Sequence, residues 1–203
     1  MAKKAAKQHR SAGQRVGISK EGLVNLAADL ADREGVSAIT LARLAKLSDV
    51  RTPTISHHVG SLSELQSEVA LLALDELIAV VLSASEGREG VDAVRGMYRA
   101  YRDFVLSHPG RYAASVETPD PDDPRRLEAV GRLARVLIDV FNQIGLTADD
   151  ANRAARLLRA AVHGYSTLEL NRAWQTPLDN DATFDWLLDV ILEGLTSDSR
   201  RII

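Results

Sequence analysis

Residues 40–59, TLARLAKLSDVRTPTISHHV, restrict the fold most, because two short helix patterns follow each other there with almost no room between them. Thr40 can cap the first helix. The apolar residues behind it recur at helical spacing: Leu41, Leu44, Ala45 and Leu47. A second helix is predicted with Thr52 as its cap and Pro53 at its first position, where the missing N–H costs nothing. The segment therefore predicts two helices joined by a tight turn.

The second of these helices has one apolar side and one side of small or polar groups. Its apolar side is formed by Ile55 and Val59, with Val50 in the preceding turn. The opposite side carries Arg51, Thr52, Thr54, Ser56 and His57. A freestanding amphipathic helix would present Glu and Lys there, whereas these groups can contact phosphates and base edges. This pattern predicts a helix that enters the major groove of DNA.

The same residues resemble the helix-turn-helix of the TetR (tetracycline-repressor-like) transcriptional regulators. The family pattern A-x-x-x-G-V-x-x-x-x-L-Y-x-H-F/V is met here by Ala45, Val50, Ile55, His58 and Val59. Three positions depart from the family: Asp49 replaces the turn glycine, Ser56 replaces a tyrosine, and Leu62 replaces a frequent lysine. Asp tolerates left-handed backbone better than most residues, so the turn is expected to form. The resemblance implies that His57 faces DNA and that His58 faces the core of the small domain.

The resemblance also implies a set of DNA contacts. Phosphate contacts are expected from Thr40, Arg43, Arg51 and Thr52, and base contacts from Thr52, Pro53, Thr54 and His57, with Ser56 on the same side. A dimer would place two such helices at half-sites about one helical turn, ~34 Å, apart. A double-stranded DNA operator is therefore the predicted macromolecular partner, together with a second copy of the chain.

The net charge of −3 hides an uneven distribution. Residues 1–60 hold ten Lys or Arg and five Asp or Glu, a balance of +5, whereas the remainder holds fifteen and twenty-three, a balance of −8. Five basic residues lie within residues 1–18, and all of them precede Glu21, the first acidic residue: Lys3, Lys4, Lys7, Arg10 and Arg15. Residues 1–18 lack apolar periodicity and are predicted to be a flexible basic arm that binds DNA through counterion release. The alternative is a solvated tail that only keeps the protein soluble.

The chain as a whole is predicted to be all-α, with about nine helices and no strand alternation. Ser19 is expected to cap the first helix and Gly35 to end it. The later helices are expected at about 61–85, 91–106, 112–116, 125–143, 147–172 and 184–195, with loops at 119–124 and 174–181. We predict three units: the arm at 1–18, a three-helix DNA-binding domain at 19–62, and a larger helical domain at 63–203.

Two segments of the second half resemble the ligand-binding and dimerisation domain of one TetR subgroup. RAYRDFVLSHPGRY is similar to a helix that ends in a His-Pro turn, here His108 and Pro109, and AAVHGYSTLEL is similar to a helix that contains His163 and Gly164. This resemblance implies a helical core with an internal cavity for a small-molecule effector of unknown identity. It also implies a homodimer formed by the last two long helices.

The aromatic residues of this half are the best candidates for lining such a cavity. The predicted ligand-binding residues are Met97, Tyr98, Tyr101, Tyr112 and His163, with Phe104 in the same cluster. A tyrosine pairs an apolar ring with a polar tip. His163 is expected to be a buried structural histidine, with a ligand contact as the alternative. Gly164 is expected to permit close helix packing, beside a cavity or across a dimer interface.

Several other functions lack support in the sequence. The absence of cysteine excludes disulfides and thiolate chemistry and fits a reducing, cytoplasmic location. We find no catalytic motif, no cofactor motif and no metal-binding spacing. The acidic residues Asp120, Asp122 and Asp123 lack the geometry of a calcium loop. The apolar run from Leu77 to Ser85 is far shorter than the ~20 residues that span a bilayer.

These observations predict a homodimeric, ligand-responsive transcriptional regulator, in this family most often a repressor. A helical small-molecule sensor or interaction dimer with weak or no DNA binding is the alternative, supported by Ser56 and Leu62. A helical enzyme is a third reading for which no residue constellation is visible.

Overall fold

The computed structural model describes residues 18–197, which form nine α-helices and one short 3₁₀ turn without any β-strand. The helices are α1 (Lys20–Glu34), α2 (Leu41–Leu47), α3 (Thr52–Val59), α4 (Leu62–Ser85), α5 (Gly90–Ser107), α6 (Pro109–Val116), α7 (Pro124–Gln143), α8 (Ala148–Leu170) and α9 (Asn180–Ser197). The predicted all-α class is confirmed. The predicted basic arm, apart from Ile18, lies outside the described residues.

The ends of α1 follow from two residue types. The Ser19 hydroxyl accepts a hydrogen bond from the backbone N–H of Gly22 at 3.1 Å, as an N-cap should. Gly35 ends the helix with φ of 87°, a conformation that favours glycine. Both predicted ends of this helix are confirmed.

A first hydrophobic cluster holds α1, α2 and α3 together. Its buried residues include Leu23, Leu30, Ile39, Leu44, Ile55 and Val59. The cluster does not end with α3, because Leu65, Val69 and Ala70 of α4 also belong to it. Ala114 of α6 completes it. The small helical unit is therefore closed partly by helices that belong to the rest of the chain.

Helix α4 takes part in both cores. Ser61 and Glu64 form a capping box at its start, in which the Ser61 hydroxyl accepts from the Glu64 N–H at 3.1 Å and the Glu64 carboxylate accepts from the Ser61 N–H at 2.6 Å. The helix then runs for 24 residues without a break. Its second half, from Leu74 to Val81, packs in the larger cluster.

The larger cluster is formed by the second half of α4 together with α5, α6, α7, α8 and α9. Its buried residues include Val94, Tyr98, Tyr101, Leu133, Phe141, Leu158, Val162, Phe184 and Leu188. Thr147 caps α8 by accepting from the Asp150 N–H at 3.3 Å. No helix within residues 18–197 combines the length and the apolar character that crossing a bilayer requires.

Several apolar residues that occur at helical spacing lie on the surface. Leu47 is 44% exposed, because it is the last residue of a helix of only seven residues. Leu127 on α7 and two leucines of α8, Leu157 and Leu168, are also exposed. Helical periodicity alone therefore overestimates how many of these residues are buried.

Candidate functional site

The turn between α2 and α3 is formed by residues 48–51 and contains no glycine. Asp49 has φ of 54°, in the left-handed region, as expected from its position in the motif. The Val50 N–H donates to the Ala45 carbonyl at 3.0 Å across the turn. This bond fixes the start of α3 relative to the end of α2.

Helix α3 is held by its apolar side. Ile55 is completely buried and Val59 is 4% exposed, both in the first cluster beside Leu44. Val50 is half-buried and packs against the same cluster. The predicted apolar side is confirmed, and the polar side of the helix consequently faces outward.

The outward side of α3 carries most of the predicted DNA-contacting residues. The exposed ones are Arg51, Thr52, Pro53, Thr54 and His57, and Ser56 is half-buried. One detail differs from the prediction, since Thr52 is the first helical residue and Arg51 occupies the N-cap position. The cause is the extended backbone of Arg51 (ψ 149°), whose carbonyl accepts from the Thr54 N–H at 3.0 Å and so begins the helix one residue earlier.

The charge of this surface favours a polyanion. No Asp or Glu occurs between residues 50 and 60. Arg51 is exposed and forms no side-chain hydrogen bond or ion pair with any residue that the structure describes. A free guanidinium beside small hydroxyl residues can bind phosphate oxygens in a bidentate manner.

Two further predicted phosphate contacts already have partners within the protein. The Thr40 hydroxyl accepts from the Arg43 N–H at 3.1 Å and caps α2. The Arg43 guanidinium forms an ion pair with Glu34 at 3.0 Å. Thr40 remains exposed, whereas Arg43 is half-buried and would have to exchange Glu34 for a phosphate.

The adjacent histidines of α3 differ in their surroundings. His57 is exposed and His58 is half-buried, in agreement with the sides expected for them. Their rings meet edge to face with centroids 5.5 Å apart. Within residues 18–197, no group of three His, Cys, Asp or Glu residues is arranged to hold a metal ion.

A second candidate site is the buried aromatic cluster of the larger core. Met97, Tyr98, Tyr101 and Tyr112 are all at most 4% exposed. The ring of Tyr101 lies 6.4 Å from that of Tyr98 and 5.9 Å from that of Tyr112, measured between centroids. The hydroxyls of Tyr98 and Tyr101 are buried without a hydrogen-bond partner among the described residues. Because an unpaired buried hydroxyl costs about 1–3 kcal/mol, these two groups require an explanation.

His163 is placed differently from the prediction. It is exposed rather than buried, because Leu158, Val162 and Tyr165 form the core face of α8 and leave it at the edge. Its Nδ1 atom lies 2.8 Å from the Tyr112 hydroxyl. The structure therefore joins His163 to the predicted aromatic cluster, but from its outer edge.

The two cores meet where α6 packs on α1, and this contact was not predicted. The Arg111 N–H donates to Asp32 of α1 at 2.8 Å, and the Arg111 guanidinium pairs with Asp29 at 2.6 Å. A Cβ atom at Gly110 would lie 2.0 Å from the carbonyl carbon of Ala31, so only glycine allows this approach. The His-Pro turn was expected to end α5, and the next helix, expected at 112–116, begins earlier, at Pro109. Nothing in the sequence indicated that this helix packs on α1.

His108 contributes to the same contact. Its Nδ1 atom lies 3.2 Å from Asp32 and 3.0 Å from the Arg111 guanidinium. The residue ends α5 and precedes α6, as expected of a turn residue, but its side chain caps neither helix.

Arg102 is another residue that the sequence analysis missed. It is 6% exposed, pairs with Glu169 of α8 at 2.7 Å and with Asp181 of α9 at 2.8 Å, and lies 5.0 Å from the Phe184 ring centroid. Burial opposes its charged form, but the two carboxylates outweigh burial and raise the pKa of Arg102. The sequence did offer one signal for a buried, paired arginine, because Arg102 lies within the aromatic pattern of α5. Its role is to join three helices of the larger core.

A surface cleft of about 720 Å³ lies between α1, α4 and α7. Ion pairs border this cleft: Lys20–Glu68 at 2.7 Å, Arg125–Glu68 at 2.8 Å and Arg132–Asp75 at 2.6 Å. It does not include the buried tyrosines. Because most of its charged groups are already paired, the cleft offers a ligand less than the tyrosine cluster does.

The chain is similar to known proteins over nearly its whole length. Residues 94–191 match the family described as "Tetracyclin repressor-like, C-terminal domain". The chain is 32% identical to the HTH-type transcriptional regulator Rv0681 of Mycobacterium tuberculosis over 199 residues, which cover 98% of this chain and 89% of that protein.

Solved structures show the same fold at lower identity. One, from Streptomyces coelicolor A3(2), is described as a possible TetR family transcriptional regulator; it is 21% identical, with a TM-score of 0.68 over 88% of this chain and 99% of that one. Another is a single-substitution variant of TetR from Acinetobacter baumannii AYE in complex with minocycline; it is 20% identical, with a TM-score of 0.67 over 89% of this chain and 97% of that one.

A helix-turn-helix with an outward polar helix, followed by a larger helical domain, defines the class of DNA-binding transcriptional regulators. Within that class, the chain belongs to the TetR family. This assignment makes it a regulator rather than an enzyme.

Proposed function

We propose that the protein is a homodimeric repressor that releases its DNA operator when a small molecule binds the larger domain. The observation that carries this proposal is the outward side of α3, which is exposed and free of acidic residues while Ile55 and Val59 hold the opposite side in the core. Such a helix is rigid and can enter the major groove. Because the operator is chromosomal DNA, we place the protein in the cytoplasm.

Each subunit would bind DNA through the residues predicted from the sequence. Arg51, Thr52 and Thr40 are exposed and would contact phosphates, and the exposed side chains of Pro53, Thr54 and His57 would contact base edges. Ser56 would contribute a short hydroxyl at the edge of this surface. Arg43 and the basic residues of the arm at 1–18 would add charge.

The surfaces of α8 and α9 support the homodimer. Their exposed apolar residues include Leu157 and Leu168 on α8 and Trp186 and Val190 on α9. Gly164 and Gly194 lie among these residues, and apart from its chain neighbours and its own helix backbone, a Cβ atom at either would meet no described atom within 4 Å. Exposed apolar stripes beside glycines fit a four-helix interface between two copies, in which the backbones approach closely.

The buried cluster of Met97, Tyr98, Tyr101 and Tyr112, with His163 at its edge, is the proposed effector site. The fold shared with a minocycline-bound relative supports a ligand inside this domain. Helix α6 carries Tyr112 in the larger core and Arg111 against α1, so a ligand beside Tyr112 can act on the DNA-binding domain. The ligand can shift the spacing of the two α3 helices only as far as it binds one conformation better.

This proposal is tested by mapping the genomic binding sites of the protein and then titrating a duplex of the recovered sequence with the protein. We expect affinity to fall by about 10³ between about 50 and 200 mM salt, the loss that six phosphate contacts produce. Binding sites that overlap promoters, with transcription rising when the protein is removed, would support repression. Weak binding without salt dependence would contradict the proposed repressor. It would support the alternative of a sensor or interaction dimer, which the departures from the family at Ser56 and Leu62 favour.

A further inference from the structure

Tyr98 and Tyr101 place two unpaired polar groups deep in an otherwise apolar core. Both residues are completely buried and neither hydroxyl forms a well-placed hydrogen bond within residues 18–197, although the Tyr101 hydroxyl interacts with that of Tyr112. They lie one turn apart on α5, with ring centroids separated by 6.4 Å. Phenylalanine would fill the same space without burying a hydroxyl. Two adjacent unpaired hydroxyls are therefore a place where a polar group of a bound molecule would be stabilised.

Arg159 supplies a positive charge to the same region. It lies one helical turn before His163 on α8, so the two side chains share a face, and the Nδ1 atom of His163 lies 2.8 Å from the Tyr112 hydroxyl. Burial raises the pKa of Tyr98 and of Tyr112, and the Arg159 guanidinium opposes this rise for both phenols. Its charge therefore acts on both hydroxyls.

No carboxylate neutralises this charge. Arg159 is half-buried and has no hydrogen bond or ion pair with the described residues. On α8, Glu169 pairs with Arg102 and Asp150 pairs with Arg153, and Asp149 lies at the far start of the helix. No carboxylate bears on either Tyr98 or Tyr112. The region thus combines unpaired donors with an uncompensated cation.

We propose that the effector is a small organic acid whose carboxylate is bound by Arg159 and by the hydroxyls of Tyr98 and Tyr101. Its apolar body packs against Met97 and the tyrosine rings, and the Tyr112–His163 pair lies at the outer edge of the site. A carboxylate accepts charge-assisted hydrogen bonds from guanidinium and phenol groups, which are about twice as strong as neutral ones. This inference rests on the proposed function, in which the tyrosine cluster is the effector site.

Calorimetric titration of the full chain with matched probes tests the inference. The probes are phenylacetate, cinnamate and octanoate at millimolar concentration, each compared with its uncharged amide. We expect at least one acid to bind about tenfold or more tightly than its amide, because only the acid pairs with Arg159. Arg159→Gln should remove this preference, and Arg159→Lys, which keeps the charge, should retain most of it.

Arg153→Gln is the matched control, because Arg153 lies on the same helix and pairs only with surface Asp150. It should leave the affinity for acids unchanged. Failure of all three acids to bind, equal binding of acids and amides, or an unchanged preference in Arg159→Gln would each overturn the inference. Operator binding is measured in a separate titration. A protein that binds the acid but no DNA would contradict the proposed function without contradicting the acid-binding site.

Discussion

Arg51 stands at the start of α3 with an exposed side chain and no partner in the described part of the protein. Its only proposed role is electrostatic, so its loss should be visible in DNA binding and not in folding. We expect Arg51→Ala to weaken binding to all duplexes alike and to reduce the slope of log affinity against log salt by about 0.9 for each subunit.

Arg135→Ala is the control for this prediction, because Arg135 is an exposed arginine of α7, in the larger domain. It should leave the salt slope and the melting temperature unchanged. The same melting temperature is expected for Arg51→Ala. A salt slope that does not change in Arg51→Ala would remove this residue from the DNA contacts.

The unpaired hydroxyl of Tyr98 makes a prediction about stability in the absence of effector. Tyr98→Phe should raise the free energy of unfolding by about 1 kcal/mol, because it removes a buried hydroxyl that has no partner among the described residues. Tyr165→Phe should lower it by about 1 kcal/mol, because the Tyr165 hydroxyl donates to the Asn180 carbonyl at 2.8 Å. Urea unfolding at one protein concentration measures both. Destabilisation by Tyr98→Phe would show that this hydroxyl is satisfied in solution.

Between helices, the closest approach is that of α6 to α1 at Gly110. Gly110→Ala should lower the free energy of unfolding by about 1–3 kcal/mol, because its Cβ would press on backbone atoms of Ala31 that cannot rotate away. It should also weaken the coupling between effector and operator. Gly131→Ala on α7, whose Cβ would meet only the Arg135 side chain at 3.4 Å, should instead raise stability by about 1 kcal/mol. Equal effects of the two substitutions would contradict the close contact.

The ion-pair cluster of Lys20, Glu68 and Arg125 joins α1, α4 and α7 and makes a pH-dependent contribution to stability. Burial raises the pKa of Glu68, but hydrogen bonds from Lys20 and Arg125 outweigh burial, and the pKa lies below its ordinary value of 4.5. A carboxyl with a lowered pKa stabilises the fold above its ordinary pKa and loses that effect as the pH falls through the lowered value.

We therefore expect Glu68→Gln to destabilise the protein by about 1 kcal/mol at neutral pH, a modest effect because Lys20 and Arg125 are half-exposed. The difference from the native chain should disappear at a pH below the lowered pKa. Glu128→Gln is the control, since Glu128 borders the same cleft, is exposed and has no ion pair in the described part of the chain. Chemical unfolding at several pH values measures the difference, and a constant difference down to low pH would contradict the ion-pair explanation.

The helices themselves could largely be predicted from the sequence, because caps and apolar spacing are local signals. Ser19, Gly35 and the Thr52-Pro53 pair marked helix ends to within a residue. Contacts between helices could not be predicted in this way. Arg111 and Asp29 are 82 positions apart, and the partners of Arg102 lie 67 and 79 positions away, so no local pattern relates them.

For the candidate sites the outcome differs between the two halves. The side of α3 that faces outward followed from the positions of Ile55 and Val59 within one helix. The burial of Tyr98 and Tyr101 also followed from periodicity. The exposure of His163 and the charge of Arg159 beside the tyrosines could not be predicted from periodicity. Both depend on how far α8 is rotated against α5 and α6.

At the scale of the whole molecule, the proposed dimer can be tested at Trp186, which is 67% exposed on α9. Trp186→Asp should convert the dimer to a monomer in light scattering, because a carboxylate would be buried without a partner at the interface. Operator affinity should fall by about tenfold or more, since a monomer contacts only one half-site. Leu127→Asp, at an exposed leucine of α7, should leave the mass unchanged. A dimeric Trp186→Asp protein with full affinity would place the interface elsewhere.

Because α4 contributes Leu65, Val69 and Ala70 to one core and Leu74 to Val81 to the other, no flexible linker divides the molecule at residue 62. A chimaera that joins the first three helices to a foreign effector domain at that position would remove the residues of α4 and α6 that complete the core around Ile55 and Val59. A working graft must carry α4 through Ala70 and keep a small residue at the position of Ala114. Operator specificity and ligand specificity can therefore be exchanged separately only by a crossover inside one continuous helix, after Ala70.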